Sequence, residues 1–396
     1  MSDRVQVSHP EKVLFPGDGI TKGDLVGYYR AVAPRMLPLV GGRPVTMHRF
    51  PDGIGRGGFL QKQVGRHFPD WIERVTAPNR RTRQGTVRDE VTYMVCREPD
   101  DLAYLANQGC ITPHVWLSRT PDIHHPDQMV FDLDPASEDL AVLRSAAASL
   151  RGLLDELGLA SFLKSSGSRG LHVVVPLVPA ADTDTVKAFS FAAAEALAAR
   201  HPDDFTVEGR IANRHGRLYL DIGRNGYAQT MAAPYAVRAL PGAPVSVPLE
   251  WSELDDFDPR RHTLRTIADR LAAPDPWAGI DQAATRLDQA GVRLAELRSP
   301  RLQQPGRSVG AGAQAPAPGR PAGGDVGRGG RPGPGHLQPG PAVVDGQGGQ
   351  GVLVERLDPG ATVAGGRGHQ HRQGRPRAHD PHKAVEDRRV GGQQAP

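Results

Sequence analysis

Apolar residues over the first 296 positions recur at two spacings, one suited to strands and one to helices. Thr21 stands where a cap is needed for a helix bearing Leu25, Tyr28, Tyr29 and Val32, three or four residues apart. Residues 46–50 and 58–62 read as short strands around a glycine-rich turn at 51–58. A strand at 92–96 and a helix at 100–109 complete a mixed α/β module over about residues 1–120. The second half, about 121–296, is more regular. A strand at 129–134 precedes a helix over 138–158 with Leu140, Leu143, Ala147, Leu150 and Leu154 on one face. Strands follow at 161–165 and 171–176, then a helix at 184–200 and a strand at 217–222. This rhythm predicts an α+β (α/β) fold, a sheet with helices on one face as in RRM-like and split-ferredoxin domains. Residues 245–249 and 255–271 read as a closing loop and helix, and 283–297 as a last helix, with no internal repeat.

Composition separates residues 297–396 from the rest. That stretch has no Phe, Tyr or Trp, a single lysine, Lys383, and about half of the 47 glycines. It is too poor in apolar groups to offset the entropy of ordering, so it reads as disordered. Its 14 basic and 7 acidic residues leave the first 296 positions near −3, although the whole chain carries +4. The basic balance therefore comes from the tail, and any case for nucleic acid must rest on local clusters. Cys96 and Cys110 lack CxxC spacing or a Cys/His cluster and read as reduced, buried thiols. No apolar run reaches membrane-spanning length and no secretory segment is legible, which points to the cytoplasm.

The chemistry concentrates in three places. Asp132 and Asp134 lie two apart in Met129-Val-Phe-Asp-Leu-Asp-Pro135, so both carboxylates leave one face of a strand while Phe131 and Leu133 enter the core. Close carboxylates repel unless a cation lies between them, which suggests a divalent metal and chemistry on phosphates. The run Ser165-Ser-Gly-Ser-Arg-Gly-Leu-His172 joins two strands. Its glycines let backbone N–H groups approach an anion, with Arg169 and His172 alongside. Alone it would be an ordinary hairpin turn with a solvated arginine; after a paired-Asp strand and a helix it reads as a triphosphate nest. Asp221, where an apolar strand runs out, is a turn acid by itself and a third metal ligand in this company. Arg214 and Arg238 offer guanidinium contacts to phosphates. His124 and His125 read as loop residues.

Taken together, FDLDP, SSGSRGLHVVVPL and LYLDIGRNGYAQTMAAPYAVRA resemble, in order and spacing, the three motifs of the archaeo-eukaryotic primase superfamily. The specific resemblance is to the polymerase domain of bacterial ligase D, the non-homologous end-joining polymerase, and it runs from about residue 5 to residue 297. It implies a primase-polymerase fold with an RRM-like catalytic sheet packed on the N-terminal module. It also implies a two-metal nucleotidyltransferase that extends DNA ends with NTPs or dNTPs. Under this resemblance Asp132, Asp134 and Asp221 match the ligands of two Mn²⁺ or Mg²⁺ ions. Ser166, Arg169, His172, Arg214 and Arg238 match triphosphate contacts, and His114 a histidine near the sugar. Lys12 and Lys22, by themselves solvated charges, match a pocket for the 5′-phosphate of a DNA end or gap. Phe59 falls where relatives stack aromatics on template bases; Leu60 departs from the aromatic pair. Arg49 and Lys62 are weaker candidates for the DNA backbone. Gly223-Arg224 replaces the more usual pair after the third aspartate. No ligase or nuclease module is legible, so Ku and a separate DNA ligase are the expected partners. Two other classes share these features: a metal-dependent phosphodiesterase or nuclease, and a non-catalytic DNA end-binding module. The abrupt loss of aromatics and lysine after residue 297 in a chain biased to Ala, Arg, Gly and Pro also fits translation out of frame. Translating the gene in its other two frames should reveal a recognisable continuation, and noise in both would leave a degenerate extension.

Overall fold

In the computed structural model, residues 4–79, 89–135 and 139–299 are described, so the expected tail lies outside them from residue 300 onward. The chain opens with a ribbon of β1 (Val13–Phe15) and β2 (Ile20–Thr21) and enters helix α1 (Lys22–Val40). Thr21 closes a capping box with Asp24 at the start of α1. Next come β3 (Pro44–Arg49), β4 (Phe59–Gln61), β5 (Arg74–Pro78), β6 (Glu90–Val95), α2 (Pro99–Asn107) and β7 (Cys110–Val115). The second half runs through β8 (Gln128–Asp134), α3 (Leu140–Leu157), β9 (Phe162–Ser165), β10 (Leu171–Pro176), α4 (Thr183–Arg200), β11 (Phe205–Thr206) and β12 (Leu218–Asp221). It finishes with β13 (Met231–Ala232), β14 (Pro248–Leu249), α5 (Ala268–Ala272) and α6 (Leu287–Arg298).

These strands form two larger sheets. One has the order β13-β7-β3-β6-β5, with β4 also paired to β3; the other has the order β11-β12-β8-β10-β9-β14. The period of two decides which side each residue of the second sheet serves. Met129, Phe131 and Leu133 of β8 join Leu171, Val173 and Val175 of β10 and Leu218 and Leu220 of β12 in a core with α3 and α4. Val130 and Val174, of the other parity, belong instead to the core shared with the first sheet and α1. Asp132 and Asp134 share the parity of Val130, so burial of Phe131 and Leu133 under the helices forces both carboxylates onto the face toward the first sheet.

Three departures from the sequence reading have local causes. β7 holds Pro113, which lacks a donor and masks the strand pattern, yet it lies between β3 and the short β13. β13 also brings residues 231–232 into the first sheet, so the two sheets share the chain without dividing it at residue 120. Residues 255–271 are not one helix. Pro259 interrupts the run, and the backbone turns outward instead: the Val245 N–H donates to the His262 carbonyl and the Leu264 N–H to the Ala243 carbonyl. Only Ala268–Ala272 is helical there.

On the edge of β8 that faces β12, where strand pairing covers only residues 132–134, a side chain takes over at Val130. Buried Asn225 accepts from the Val130 N–H at 2.8 Å and donates to the Val130 carbonyl at 2.7 Å, with further donor contacts to Ser190 Oγ and the Ile222 carbonyl. Its amide thereby fixes the turn that follows Asp221 against the strand that carries Asp132. Replacing it leaves a buried peptide unpaired, so Asn225→Ala should lower unfolding free energy by about 2–4 kcal/mol, read from urea denaturation.

Candidate active site

The two-residue period and the strand register bring the acids together. Asp132 on β8 pairs directly with Asp221 on β12 and with His172 on β10, and Tyr219 pairs with Asp134. One carboxylate oxygen from each of Asp132, Asp134 and Asp221 lies within 4.8 Å of the others. Lys164 on β9 is the register partner of His172, so one polar row crosses four strands as Asp221, Asp132, His172 and Lys164.

The charges in this row are unequal. Burial opposes ionisation of Asp132, but His172, Arg224 and Lys164 outweigh it and hold that carboxyl well below the usual range. Burial, with the negative charges of Asp132 and Asp221, pushes Asp134 upward. His172 Nε2 lies 3.4 Å from Asp132 Oδ1, while its buried Nδ1 has no hydrogen-bond partner among the described residues. Burial and Lys164 lower His172 to about 4, so the imidazole is uncharged at neutral pH. Lys164 Nζ donates to Ser246 Oγ at 2.6 Å and to the Ala232 carbonyl at 3.2 Å. Burial and the Arg238 charge lower it to about 7. Among the described residues the arginine ion-paired with these acids is Arg224, with Nε 3.4 Å from Asp132 Oδ2 and Nη2 4.0 Å from Asp221 Oδ2. One guanidinium against three carboxylates leaves an excess of negative charge on an all-oxygen donor set, which suits a hard divalent cation.

The turn after β9 stands directly beside these acids. Ser166 Oγ accepts from the N–H groups of Ser168 and Gly170 at 3.2 and 3.0 Å, so this hydroxyl shapes the turn while its own proton stays available to donate. A Cβ on Gly170 would run into the Leu133 carbonyl, and Gly167 has a φ of +66°. Arg238 Nη1 donates to the Ser166 carbonyl at 2.6 Å, and exposed Arg169 contributes positive charge at Asp134. Arg214 lies over the Tyr219 ring, 4.1 Å from its centroid, and Tyr219 Oη is 3.4 Å from Asp221 Oδ1. His114, on β7, meets His48 edge-on at 6.1 Å between ring centroids; burial and the Arg238 charge hold it well below the ordinary histidine range.

The residues expected to meet DNA separate into groups. Lys12 Nζ is 2.9 Å from Asp52 Oδ1, and buried Lys22 donates to the Ser8 carbonyl. Burial and then the Lys12 charge lower the Lys22 pKa, so neither lysine is the isolated surface charge that each resembles in sequence. Phe59 and Leu60 on β4 are 48% and 60% exposed, an apolar step open to solvent. Arg49, expected at the DNA backbone, has Nε donating to the Gln108 carbonyl and Nη1 to Gln61 Oε1, with the guanidinium 5.6 Å from the Phe59 ring centroid. It braces β4 from below, while Lys62 is exposed just beyond the strand. His125 pairs with Asp122 and His124 stacks on Tyr227.

Sequence reading missed Lys164 and His48 and treated Arg224 only as a departure. Arg224 stands three residues after Asp221, a spacing that folds back only because residues 223–225 form a single helical turn. Lys164 carried a weaker signal, a lone cation inside an apolar strand.

A family model, the LigD primase-polymerase domain, matches residues 21–277. The chain belongs to this family. Among curated relatives, the multifunctional non-homologous end joining protein LigD of Mycolicibacterium smegmatis is 32% identical over 68% of this chain and 35% of its own length. Its Pseudomonas aeruginosa counterpart is 35% identical over 71% and 33%. The chain thus spans about a third of these relatives. The polymerase domain of Mycobacterium tuberculosis ligase D in complex with DNA is 31% identical with a TM-score of 0.65, covering 72% of this chain and all of that one. The mixed α/β architecture is therefore that of a LigD polymerase domain. Among the described residues no helix is long and apolar enough to cross a membrane.

The neutral, buried His172 has a consequence for acid stability. Its folded pKa near 4 lies below the ordinary 6.5, so the unfolded chain binds more protons between those values. The stability contributed is complete above pH 6.5 and is lost as pH falls through 4. The raised Asp134 carboxyl acts in the opposite direction over the same range, so the His172 share is read as a difference: in chelator, between pH 7 and 4, His172→Gln should remove a loss of about 3 kcal/mol relative to the wild-type protein in denaturant titrations.

Proposed function

We propose that this LigD-type domain is a two-metal nucleotidyltransferase that extends or fills DNA ends in double-strand-break repair by non-homologous end joining. The observation that carries this reading is the convergence of Asp132, Asp134 and Asp221 beside the glycine turn at 166–170, with Arg169 on that turn and Arg238 bonded to its Ser166 carbonyl. The reaction joins a primer 3′-oxygen to the innermost phosphorus of a nucleoside triphosphate and releases pyrophosphate. Asp132, Asp134 and Asp221 would hold two Mg²⁺ or Mn²⁺ ions, which when bound lower the pKa of the 3′-hydroxyl and neutralise charge on the phosphates. The protein groups supply the rest. The Ser166 hydroxyl, Arg169 and Arg238 orient the triphosphate and bear its charge as pyrophosphate departs. Neutral His172 keeps Asp132 in place and leaves it ionised. Arg214, stacked on Tyr219, adds a guanidinium at the Asp221 side of the site. His114 stands across from this face on β7, where a sugar would lie. Lys12 and Lys22, brought together by the β1–β2 ribbon, are suited to a 5′-phosphate, and Phe59 with Leu60 to a template base.

In this reading the substrates are NTPs or dNTPs and 5′-phosphorylated DNA ends or gaps. Ku and a separate ligase would be the partners, at the bacterial nucleoid. The end-joining names of the LigD relatives support that setting. Asp132→Ala and Asp134→Ala should each reduce extension of a primed, 5′-phosphorylated gapped DNA by at least on the order of 100-fold while a gel shift with the same DNA persists. Unchanged extension would remove the proposed site. Shortening of labelled DNA without triphosphate would favour a phosphodiesterase using the same carboxylates.

A further inference from the structure

Arg260 lies in the stretch where a helix was expected and turns were found. Its backbone N–H donates to Asp258 Oδ1 at 2.9 Å, and two residues later the His262 carbonyl accepts from the Val245 N–H at 2.8 Å. The peptide between Val245 and Ser246 also packs against Gly167, so the loop that anchors this stretch is the loop that backs the glycine turn. Arg260 therefore reaches the turn from a fixed base. Its Nε donates to the Ser168 carbonyl at 3.1 Å, its side chain is exposed, and its terminal Nη groups have no partner among the described residues.

The turn has a near end and a far end with respect to the acids. A Cβ on Gly170 would stand 3.7 Å from Asp134 Oδ1, so the Gly170 end adjoins the carboxylates. Ser168 is at the tip, and Arg260 is fastened to it. Arg238 binds the Ser166 peptide and Arg169 extends from the turn itself, so three guanidiniums surround one anion-binding loop.

We propose that Arg260 recognises the terminal phosphate of the incoming nucleoside triphosphate and so distinguishes triphosphates from diphosphates. The inference rests on the nucleotidyl-transfer reading above. Transfer occurs at the phosphate nearest the carboxylates, so the remaining two extend along the turn and the last meets the free edge of Arg260. With Nε occupied by Ser168, that edge presents two Nη groups in a fixed plane, suited to a bidentate phosphate contact. A diphosphate with its inner phosphate at the acids would fall short of it.

The test compares binding of α,β-methylene adenosine triphosphate and of adenosine diphosphate, each with Mg²⁺, to the full chain by calorimetry. The wild-type protein should bind the triphosphate more tightly. Arg260→Ala should weaken triphosphate binding about tenfold or more and leave diphosphate binding within about twofold, with partial recovery in Arg260→Lys. Equal weakening of both ligands would mean that Arg260 only braces the turn, and no change in either would mean that it does not contact the nucleotide; both overturn the inference. A wild-type protein with no preference for the triphosphate would instead overturn the triphosphate reading of the site, and this inference with it. Because Arg260 is exposed and outside the core, its replacement should leave folding unchanged, checked by the thermal midpoint.

Discussion

Three carboxylates within a few ångströms, partly removed from water, repel one another, and the surroundings of β8 are arranged to keep them there. Phe131 and Leu133 anchor the strand under α3 and α4, so Asp132 and Asp134 cannot rotate away without exposing apolar surface. Antiparallel pairing with β12 adds Asp221 at the same register position. Asn225 then ties the following turn to Val130, which holds the two acid-bearing strands in one geometry. The fold thus concentrates negative charge, and Arg224 compensates only part of it.

The remaining polar groups divide that task. His172 and Lys164 continue the row of Asp132, but burial lowers the pKa of both, so they act more as hydrogen-bonding spacers than as full counter-charges. Fixed positive charge lies outside the row: Arg224 on the turn after Asp221, Arg169 on the glycine turn, and Arg238 beneath it. This separation suits a site that must accept cations at its centre and a polyanion at its edge. It also explains the glycines, since a side chain at Gly170 would push the turn away from the Leu133 carbonyl and from Asp134.

Much of the second half was legible because its elements obey simple periods. Alternation in β8 and β10 and the helical spacing in α3 exposed the sheet and its covering helices, and two acids on one strand face marked the site before any partner was known. The helix expected at 255–271 failed because its apolar spacing survived while its backbone was drawn into bonds with residues 243–245. β7 was hidden by Pro113. Arg49 looked like any surface cation near a glycine turn, yet its partners are the Gln108 carbonyl and the Gln61 side chain. That pairing depends on where α2 ends relative to β3, which no local pattern records.

By itself, the sequence determined the parity of Asp132 and Asp134, the glycine turn at 166–170, the capped start of α1 and the resemblance to ligase D polymerases. These are local properties, fixed by alternation, capping chemistry and backbone freedom over a few residues. Tertiary structure alone decided that Asp221 and His172 stand opposite Asp132, that Lys164 joins their row, that Arg224 folds back onto the acids and that Arg260 reaches Ser168. Each of those depends on strand register or on a turn closing against a distant strand. The physical reason is that a one-residue slip between strands reverses every face while leaving each strand's own pattern unchanged.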